Sequence, residues 1–308
     1  MPDVKYLSLN GKVVPTADAH IHILSPAVKY GTNVFEGIRG YWNNEEKQLY
    51  IFRLTEHLLR LQFSMKVMRF GESYTVEHLR DCIMELIKAN DLREDTYIRL
   101  FAYVDDLDGE MTASGTIGMA IAATPKGRRA KAHDGVNVAV SSWQRISDNS
   151  MPPRIKCVAN YNNGRLAWMQ AKQDGYDNVI LLTQRGTVAE GPGACLFIVR
   201  DGVPTTSTVA SDILESITRA TVMQIFREYS DLDTVQRDIG RTELYAAQEA
   251  FYCGTGHEIL PIVSIDRHPL GDGKVGALTE MLRQKYQQLV RGEIADHAEW
   301  RTPVYGSS

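Results

Sequence analysis

The sequence predicts an α+β protein of two domains, on three observations. At 308 residues it is longer than one hydrophobic core usually serves, and long enough for about two. Short alternating runs rich in β-branched residues are interleaved with segments of helical apolar period in both halves. A polar, basic break, Thr124-Pro125-Lys126-Gly127-Arg128-Arg129, separates the two sets. The division this predicts is a small N-terminal domain over 1–124, an interdomain loop over 125–134 and a larger domain over 135–308.

The elements follow in order. Residues 5–14 alternate around Asn10-Gly11, a pair favoured in two-residue hairpins because both positions need positive φ. Residues 19–24 alternate too and are expected as a strand with His20 and His22 on one face; no third metal ligand lies nearby. From Tyr30 to Tyr41 glycines interleave with aromatics and Arg39, which suits either a binding wall or a buried strand with core aromatics. A strand over 48–53 ends at Arg53, and Thr55 is the expected cap of a helix over 56–67. An Arg at such a junction can hold an anion or pair with Glu56. Val76, Leu79, Ile83, Leu86 and Ile87 form one face of a helix that starts at Thr75 and stops at Asn90. Strands over 96–104 and 116–124 flank the acidic loop Asp105-Asp106-Leu107-Asp108-Gly109-Glu110, which lacks calcium-loop spacing.

In the second half, 136–143 alternate as a strand and Met151-Pro152-Pro153 forces an extended approach to Lys156. A helix is expected over 160–172 and a strand over 177–183. Glu190 then precedes Gly191-Pro192-Gly193 and an apolar strand. A helix starts after Asp212–Arg219 and runs to about Glu228, and a short one is expected over 242–250. A strand from Phe251 enters the Gly254-Thr255-Gly256 turn, 259–266 form a last strand, and 275–291 a C-terminal helix.

Hydrophobic residues make up 44% and charged residues 23% of the chain, enough for sizeable cores. A net charge of -4 argues against a nucleic-acid surface. No apolar run approaches membrane-spanning length and no secretory leader is evident, so a cytoplasmic protein is expected. Cys82, Cys157, Cys195 and Cys253 form no CxxC pair and read as reduced thiols; no metal site is expected.

The chemistry-bearing residues are a Lys in an unusual setting, a fixed acid, a junction Arg and two turns rich in backbone N–H. Lys156 lies between Ile155 and Cys157-Val158-Ala159; desolvation there would disfavour the ammonium and leave more amine as a nucleophile. Its alternative is a solvated loop Lys. Glu190, before a stiff turn, is either a fixed carboxylate able to keep a ring nitrogen protonated or a surface turn acid. The first turn of the helix near Ile217-Thr218 and the Gly-Thr-Gly turn can receive an anion. No nucleophile elbow, Walker loop or Rossmann glycine pattern is present. Together these parts suit an aldehyde, a basic ring nitrogen and a phosphate in one cofactor, as in pyridoxal 5'-phosphate.

Over roughly residues 5–294 the chain resembles the branched-chain amino acid aminotransferase family, of the fold type IV pyridoxal-phosphate class. Tyr30-Gly31-Thr32-Asn33-Val34-Phe35-Glu36-Gly37-Ile38-Arg39 carries the resemblance. So do Phe52-Arg53 with Glu56-His57 and Arg60-Leu61, Tyr97-Ile98-Arg99, Lys156 with Asn160-Tyr161, Glu190-Gly191 with Leu196-Phe197, and Gly254-Thr255. The resemblance implies a small α/β domain, a larger domain with a barrel-like sheet, and a cofactor at their interface. It implies that Lys156 carries the Schiff base and moves the substrate proton. Glu190 would face the ring nitrogen and Tyr161 the ring oxygen, with Arg53, Ile217, Thr218 and Thr255 at the phosphate. Thr255, Gly256 and Tyr97 would receive the α-carboxylate. Phe35, Gly37 and Tyr30, the last from a second subunit of a homodimer, would line the side-chain pocket, within a pattern that includes Arg39. Arg99 would bind the distal carboxylate of glutamate or 2-oxoglutarate. The implied reaction is transamination between L-leucine, L-isoleucine or L-valine and 2-oxoglutarate. (R)-amine and D-amino-acid transaminases, and an aminodeoxychorismate-lyase-like enzyme, share the fold as alternatives. The chain departs from the pattern at loop 105–110, at Lys126 with Arg128 and Arg129, and at Cys195, which makes the rim more polar and leaves the donor preference open.

Overall fold

The structure is a computed structural model that describes residues 4–127 and 134–306. The chain forms two compact units: Met1–Gly127 with Ile155–Ala159 and Gln288–Ser308, and Arg128–Arg154 with Asn160–Gln287. The Lys156 segment and the C-terminal stretch therefore join the first unit, where the sequence division placed them in the second domain. Arg128, Arg129 and Lys131 lie outside the described residues.

The first unit contains β1 (Tyr6–Leu9), β2 (Lys12–Pro15), α1 (Pro26–Lys29), β3 (Asn33–Asn43), β4 (Gln48–Phe52), α2 (Leu54–Val67), α3 (Val76–Ala89), β5 (Thr96–Val104) and β6 (Ile117–Pro125). Its antiparallel sheet runs from the C-terminal strand Arg301–Pro303 through β4, β3, β5, β6 and β1 to β2. Asn10 and Gly11 turn the β1–β2 hairpin with φ of 49° and 77°, the conformation their side chains permit most readily. Alternation on β3 sends Val34, Glu36 and Ile38 to one face and Phe35, Gly37 and Arg39 to the other. The helices bury Leu54, Leu58, Leu61, Met65, Leu79, Ile83, Leu86 and Ile87.

Glu36 is fully buried yet charged. Arg60 Nε lies 2.7 Å from its Oε1, Arg60 Nη2 2.8 Å from Oε2, and His57 Nδ1 2.7 Å from Oε2. His57, Arg60 and Ser64 share one face of α2, at i, i+3 and i+7. This cluster fastens α2 to β3 at a fixed register.

The second unit contains β7 (Val136–Gln144), α4 (Tyr161–Gln173), β8 (Asn178–Leu182), β9 (Cys195–Arg200), β10 (Val203–Thr206), α5 (Ile217–Ser230), β11 (Val235–Gln236), β12 (Glu249–Gly254), β13 (Glu258–Ile265), β14 (His268–Pro269) and α6 (Ala277–Arg291), whose last turn belongs to the first unit. Its sheet order is β11-β10-β9-β12-β13-β7-β8, with β14 on β13. Leu196, Ile198, Ala250, Tyr252, Leu260 and Ile262 fill one core. The alternate residues Phe197 and Phe251 stack 5.1 Å apart, and Phe226 of α5 packs on Phe251. Ala167 and Ala171 seat α4 against Val179 and Leu181.

Three expected elements differ. Residues 19–24 form no strand: the chain turns there, with the Leu24 N–H on His22 Nδ1, because alternation without a neighbouring strand leaves the ladder unmade. Helix α2 begins before Thr55; Arg53 ends the strand in the left-handed region, φ 53°, held by its N–H on the Trp300 carbonyl at 2.7 Å. The helix expected over 242–250 is a 3-10 turn over Arg241–Ala246, and pairing of Glu249–Cys253 with β9 takes the rest.

The Glu36 cluster generates a pH prediction. Burial pushes the carboxyl up, but Arg60's charge and hydrogen bonds, and those of His57, hold it down at about 2, against 4.5 ordinarily. A carboxylate depressed on folding contributes fully above its unfolded value and loses that contribution as pH falls toward its folded value. The window is therefore about 4.5 down to about 2, and the contribution on the order of 3 kcal/mol. Unfolding of the wild type is expected to ease steeply across that window. Glu36→Gln should start less stable, because buried Arg60 loses the charge of Glu36, but with a shallower acid slope. Parallel slopes in the two proteins would contradict the assignment.

Candidate active site

The first unit gathers an unusual row of cations and aromatics. In an antiparallel ladder directly opposed residues share a face. Phe35 opposes Phe101, Gly37 opposes Arg99 and Arg39 opposes Tyr97; Tyr97 opposes Thr124 and Arg99 opposes Ala122 on the other side. One sheet face therefore carries Phe35, Gly37, Arg39, Tyr97 and Arg99 together. A Cβ at Gly37 would lie 2.2 Å from the Tyr97 hydroxyl oxygen, so glycine is what lets this hydroxyl reach across.

Lys156 enters beside this face. Strand β4 pairs with β3 only over Gly40–Asn43, and Cys157 bridges Val34 on the stretch that β4 leaves open. The Phe35 N–H donates to the Lys156 carbonyl at 2.9 Å, and the Lys156 N–H donates to Ser64 Oγ at 3.2 Å. Ile155 and Cys157 are buried and Lys156 is half-buried, so the backbone is pinned and the side chain is aimed. Its Nζ lies 4.9 Å from the centre of the Phe35 ring. Arg99 Cζ lies 5.4 Å from the Phe35 ring centre and 5.4 Å from that of Tyr97, and Lys126 Nζ lies 4.1 Å from the latter. Successive cation–ring contacts thus connect Lys156, Phe35, Arg99, Tyr97 and Lys126. Burial pushes the His57 imidazole down, Glu36 opposes it, and the charges of Arg60 and Lys156 add to the lowering.

Arg39 is also in this unit but spends its guanidinium on the chain itself, donating to the carbonyls of Lys126 at 2.5 Å and Gly127 at 3.4 Å. Arg53 pairs with Glu56 and stacks 4.6 Å from the Trp300 ring centre. Tyr30 is exposed, beside Lys29. The loop 105–110 is tied down by Lys29 Nζ on the Gly109 carbonyl at 2.7 Å. No cluster of three His, Cys, Asp or Glu that could hold a metal occurs among the described residues.

The second unit places the other predicted residues. Glu190 is 4% exposed, which removes the surface-turn reading. Its Oε1 receives Arg145 Nη2 at 2.9 Å and the Leu214 N–H at 3.3 Å, and its Oε2 the Cys195 thiol at 3.7 Å. Its backbone pairs with Leu181 of β8. At Gly191 a Cβ would meet Tyr252 at 2.7 Å, so the turn after Glu190 needs glycine. Burial, then the Glu190 charge, pushes the Cys195 thiol well up, which keeps it a neutral donor. Tyr161 opens α4, with its ring beside Gly193. Ser216 caps α5 by accepting from the Arg219 N–H at 3.2 Å; Ile217 and Thr218 form the first turn, whose N–H groups have no partner within a helix. Thr255 and Gly256 form the turn after β12.

Arg145, Ser64 and the Glu36–His57–Arg60 cluster were not assigned roles from the sequence. Arg145 carried no local signal, since its partner lies far along the chain. Glu36, His57 and Arg60 stand in the quoted motifs, but only the fold shows that their charges meet.

The family described as Amino-transferase class IV matches residues 33–265, and the chain belongs to it. Within it, the chain is 40% identical over 296 residues to a probable branched-chain-amino-acid aminotransferase of Aquifex aeolicus, covering 96% of this chain and 95% of that one. The branched-chain amino acid aminotransferase of Thermobaculum terrenum, solved in its PLP-form (holo-form), superposes with a TM-score of 0.94 at 42% identity, covering 99% of this chain and 100% of that one. A T.th. branched-chain amino acid aminotransferase, complexed with N-(5'-phosphopyridoxyl)-L-glutamate, gives 0.93 at 35% identity, covering 99% and 100%. That enzyme has also been solved with 4-methylvaleric acid. The fold is that of the fold type IV aminotransferases.

The Gly37–Tyr97 contact is testable. Gly37→Ala must displace the Tyr97 ring and is expected to cost about 1–3 kcal/mol in thermal or urea unfolding. Adding Tyr97→Phe removes the most crowded atom and should restore part of the loss. Strictly additive effects would show that the two residues do not meet.

Proposed function

We propose that this chain is a pyridoxal-5'-phosphate-dependent branched-chain amino acid aminotransferase, moving the amino group between L-leucine, L-isoleucine or L-valine and 2-oxoglutarate. The observation that carries the reading is the Phe35 ring, with the Lys156 amine on it and the Arg99 guanidinium on it as well. An apolar wall beside a cation can take a branched chain and a carboxylate in turn, as a two-substrate exchange requires. One relative, solved both with a phosphopyridoxyl-glutamate adduct and with 4-methylvaleric acid, supports the same pair of ligands.

The donor set fits the cofactor. Lys156 offers an amine on a pinned backbone, Glu190 a buried carboxylate paired with Arg145, and α5 a helix N-terminus for a phosphate. When bound, the cofactor's protonated ring withdraws the electron pair released as the substrate Cα loses its proton. Lys156 would hold the cofactor covalently at rest; once the substrate amine had displaced it there, the freed Nζ would accept and return the Cα proton. Glu190 would face the ring nitrogen, kept anionic by Arg145, and Tyr161 the ring oxygen. Arg53, Thr255 and the Ile217–Thr218 backbone would hold the phosphate. Tyr97, Thr255 and Gly256 would receive the substrate α-carboxylate. Tyr30, Phe35 and Gly37 would shape the side-chain pocket and Arg99 the distal one. Arg39 acts through the Lys126 backbone.

The reading includes a cytoplasmic homodimer or a higher assembly of this chain. Exposed Ile21, Ile23, Leu24, Val28 and Tyr30 support an assembly, and four free thiols a reducing compartment. No helix among the described residues is long and apolar enough to cross a membrane.

A donor screen with 2-oxoglutarate as acceptor tests the activity. Glutamate is expected to form from L-leucine and L-isoleucine. Turnover of D-alanine or (R)-1-phenylethylamine with none of L-leucine would replace this reading by the alternative transaminases, and pyruvate release without an amino acceptor by a lyase. Lys156→Ala is expected to lower the L-leucine rate by at least about 10²-fold.

A further inference from the structure

Trp300 lies in the C-terminal stretch that folds back onto the first unit, and it meets Arg53 twice. Its carbonyl accepts the Arg53 N–H at 2.7 Å, and the Arg53 guanidinium lies over its ring, with Cζ 4.6 Å from the ring centre. Arg301, the next residue, pairs with Phe52, the residue before Arg53, so both contacts follow from one ladder register. The ring is itself fixed. His297 stacks on it at 3.8 Å with the planes 8° apart, Phe52 meets it edge-on at 6.0 Å, and Trp300 is only 7% exposed. Arg301 Nη1 fastens the same stretch to the carbonyls of Leu289 and Asp296, each at 2.9 Å.

Arg53 needs such support. Its backbone is in the left-handed region, φ 53°, where a residue with a Cβ is strained. Its side chain has a long stem with several free torsions, and Glu56, one turn on, takes its Nε. The two side-chain contacts differ in kind. Glu56 occupies a donor. The Trp300 ring attracts the cation through its face and restrains the guanidinium without spending an N–H donor. An arginine held this way loses less freedom when it binds an anion.

We propose that Trp300 is a positioning residue for the cofactor phosphate, acting through Arg53. Its carbonyl sets the backbone from which the Arg53 side chain leaves, and its ring sets where the guanidinium lies. This rests on the pyridoxal-phosphate reading above, in which Arg53 holds the phosphate.

The test uses the full chain, stripped of cofactor and titrated with pyridoxal 5'-phosphate and with pyridoxal, which lacks the phosphate. The ratio of the two dissociation constants reports on the phosphate contacts. Trp300→Leu is expected to weaken binding of the phosphorylated form about tenfold more than binding of pyridoxal, and Trp300→Phe, which keeps a buried aromatic face, to weaken it less. In an Arg53→Met background Trp300→Leu should leave the ratio unchanged, because the residue it acts through is gone. If Trp300→Leu does not fold, Trp300→Phe in the two backgrounds decides the same question. A residue that only supports the fold weakens both ligands alike, so an unchanged ratio in the Trp300 variants, or the same change with and without Arg53, overturns the proposal. A wild type that binds the two ligands equally overturns the cofactor reading and the proposal with it, whereas a wild type that prefers the phosphorylated form, beside variants that keep that preference, overturns the proposal alone.

Discussion

A buried charge cluster sets the geometry of the first unit. Glu36 sits inside, on a strand whose neighbours are apolar, and could not stay there ionised without Arg60 and His57. Both partners come from one face of α2, so satisfying the carboxylate fixes where that helix lies on β3. Ser64 lies one turn beyond Arg60 on the same face and receives the Lys156 N–H. The register of a helix is thereby transmitted to the backbone of Lys156, and the opposite face of β3 is left to Phe35, Gly37 and Arg39.

That opposite face combines apolar surface with positive charge. Phe35 supplies apolar surface, Gly37 supplies the space that Tyr97 fills, and Arg99 and Lys126 supply positive charge against the Phe35 and Tyr97 rings. Glu190 in the second unit obeys the same rule as Glu36: its charge is tolerated inside because Arg145 and two weaker donors satisfy it.

The sequence made the local features legible. Asn10-Gly11 demanded its hairpin, the Val76–Ile87 stripe demanded its helix, and alternation on β3 and β5 demanded strands. The motif residues Lys156 and Glu190 stood out because neither setting is usual for its residue type. What sequence could not show depends on meetings across the chain. Residues 19–24 alternate like a strand but find no ladder. Arg39 stood in the substrate motif, yet its guanidinium holds the Lys126 backbone. Arg145 had no signal until Glu190 folded against it. The segment carrying Lys156 lies mid-chain in the sequence but joins the sheet of the N-terminal unit, because β4 leaves part of β3 unpaired.

The central claim is that this pinned lysine is the cofactor's covalent anchor. Borohydride reduction of the cofactor-loaded protein, followed by peptide mapping, tests it most directly. The account predicts one modified lysine, at Lys156, and none in Lys156→Ala. A label on another lysine, or a wild type that carries none after loading, would contradict it.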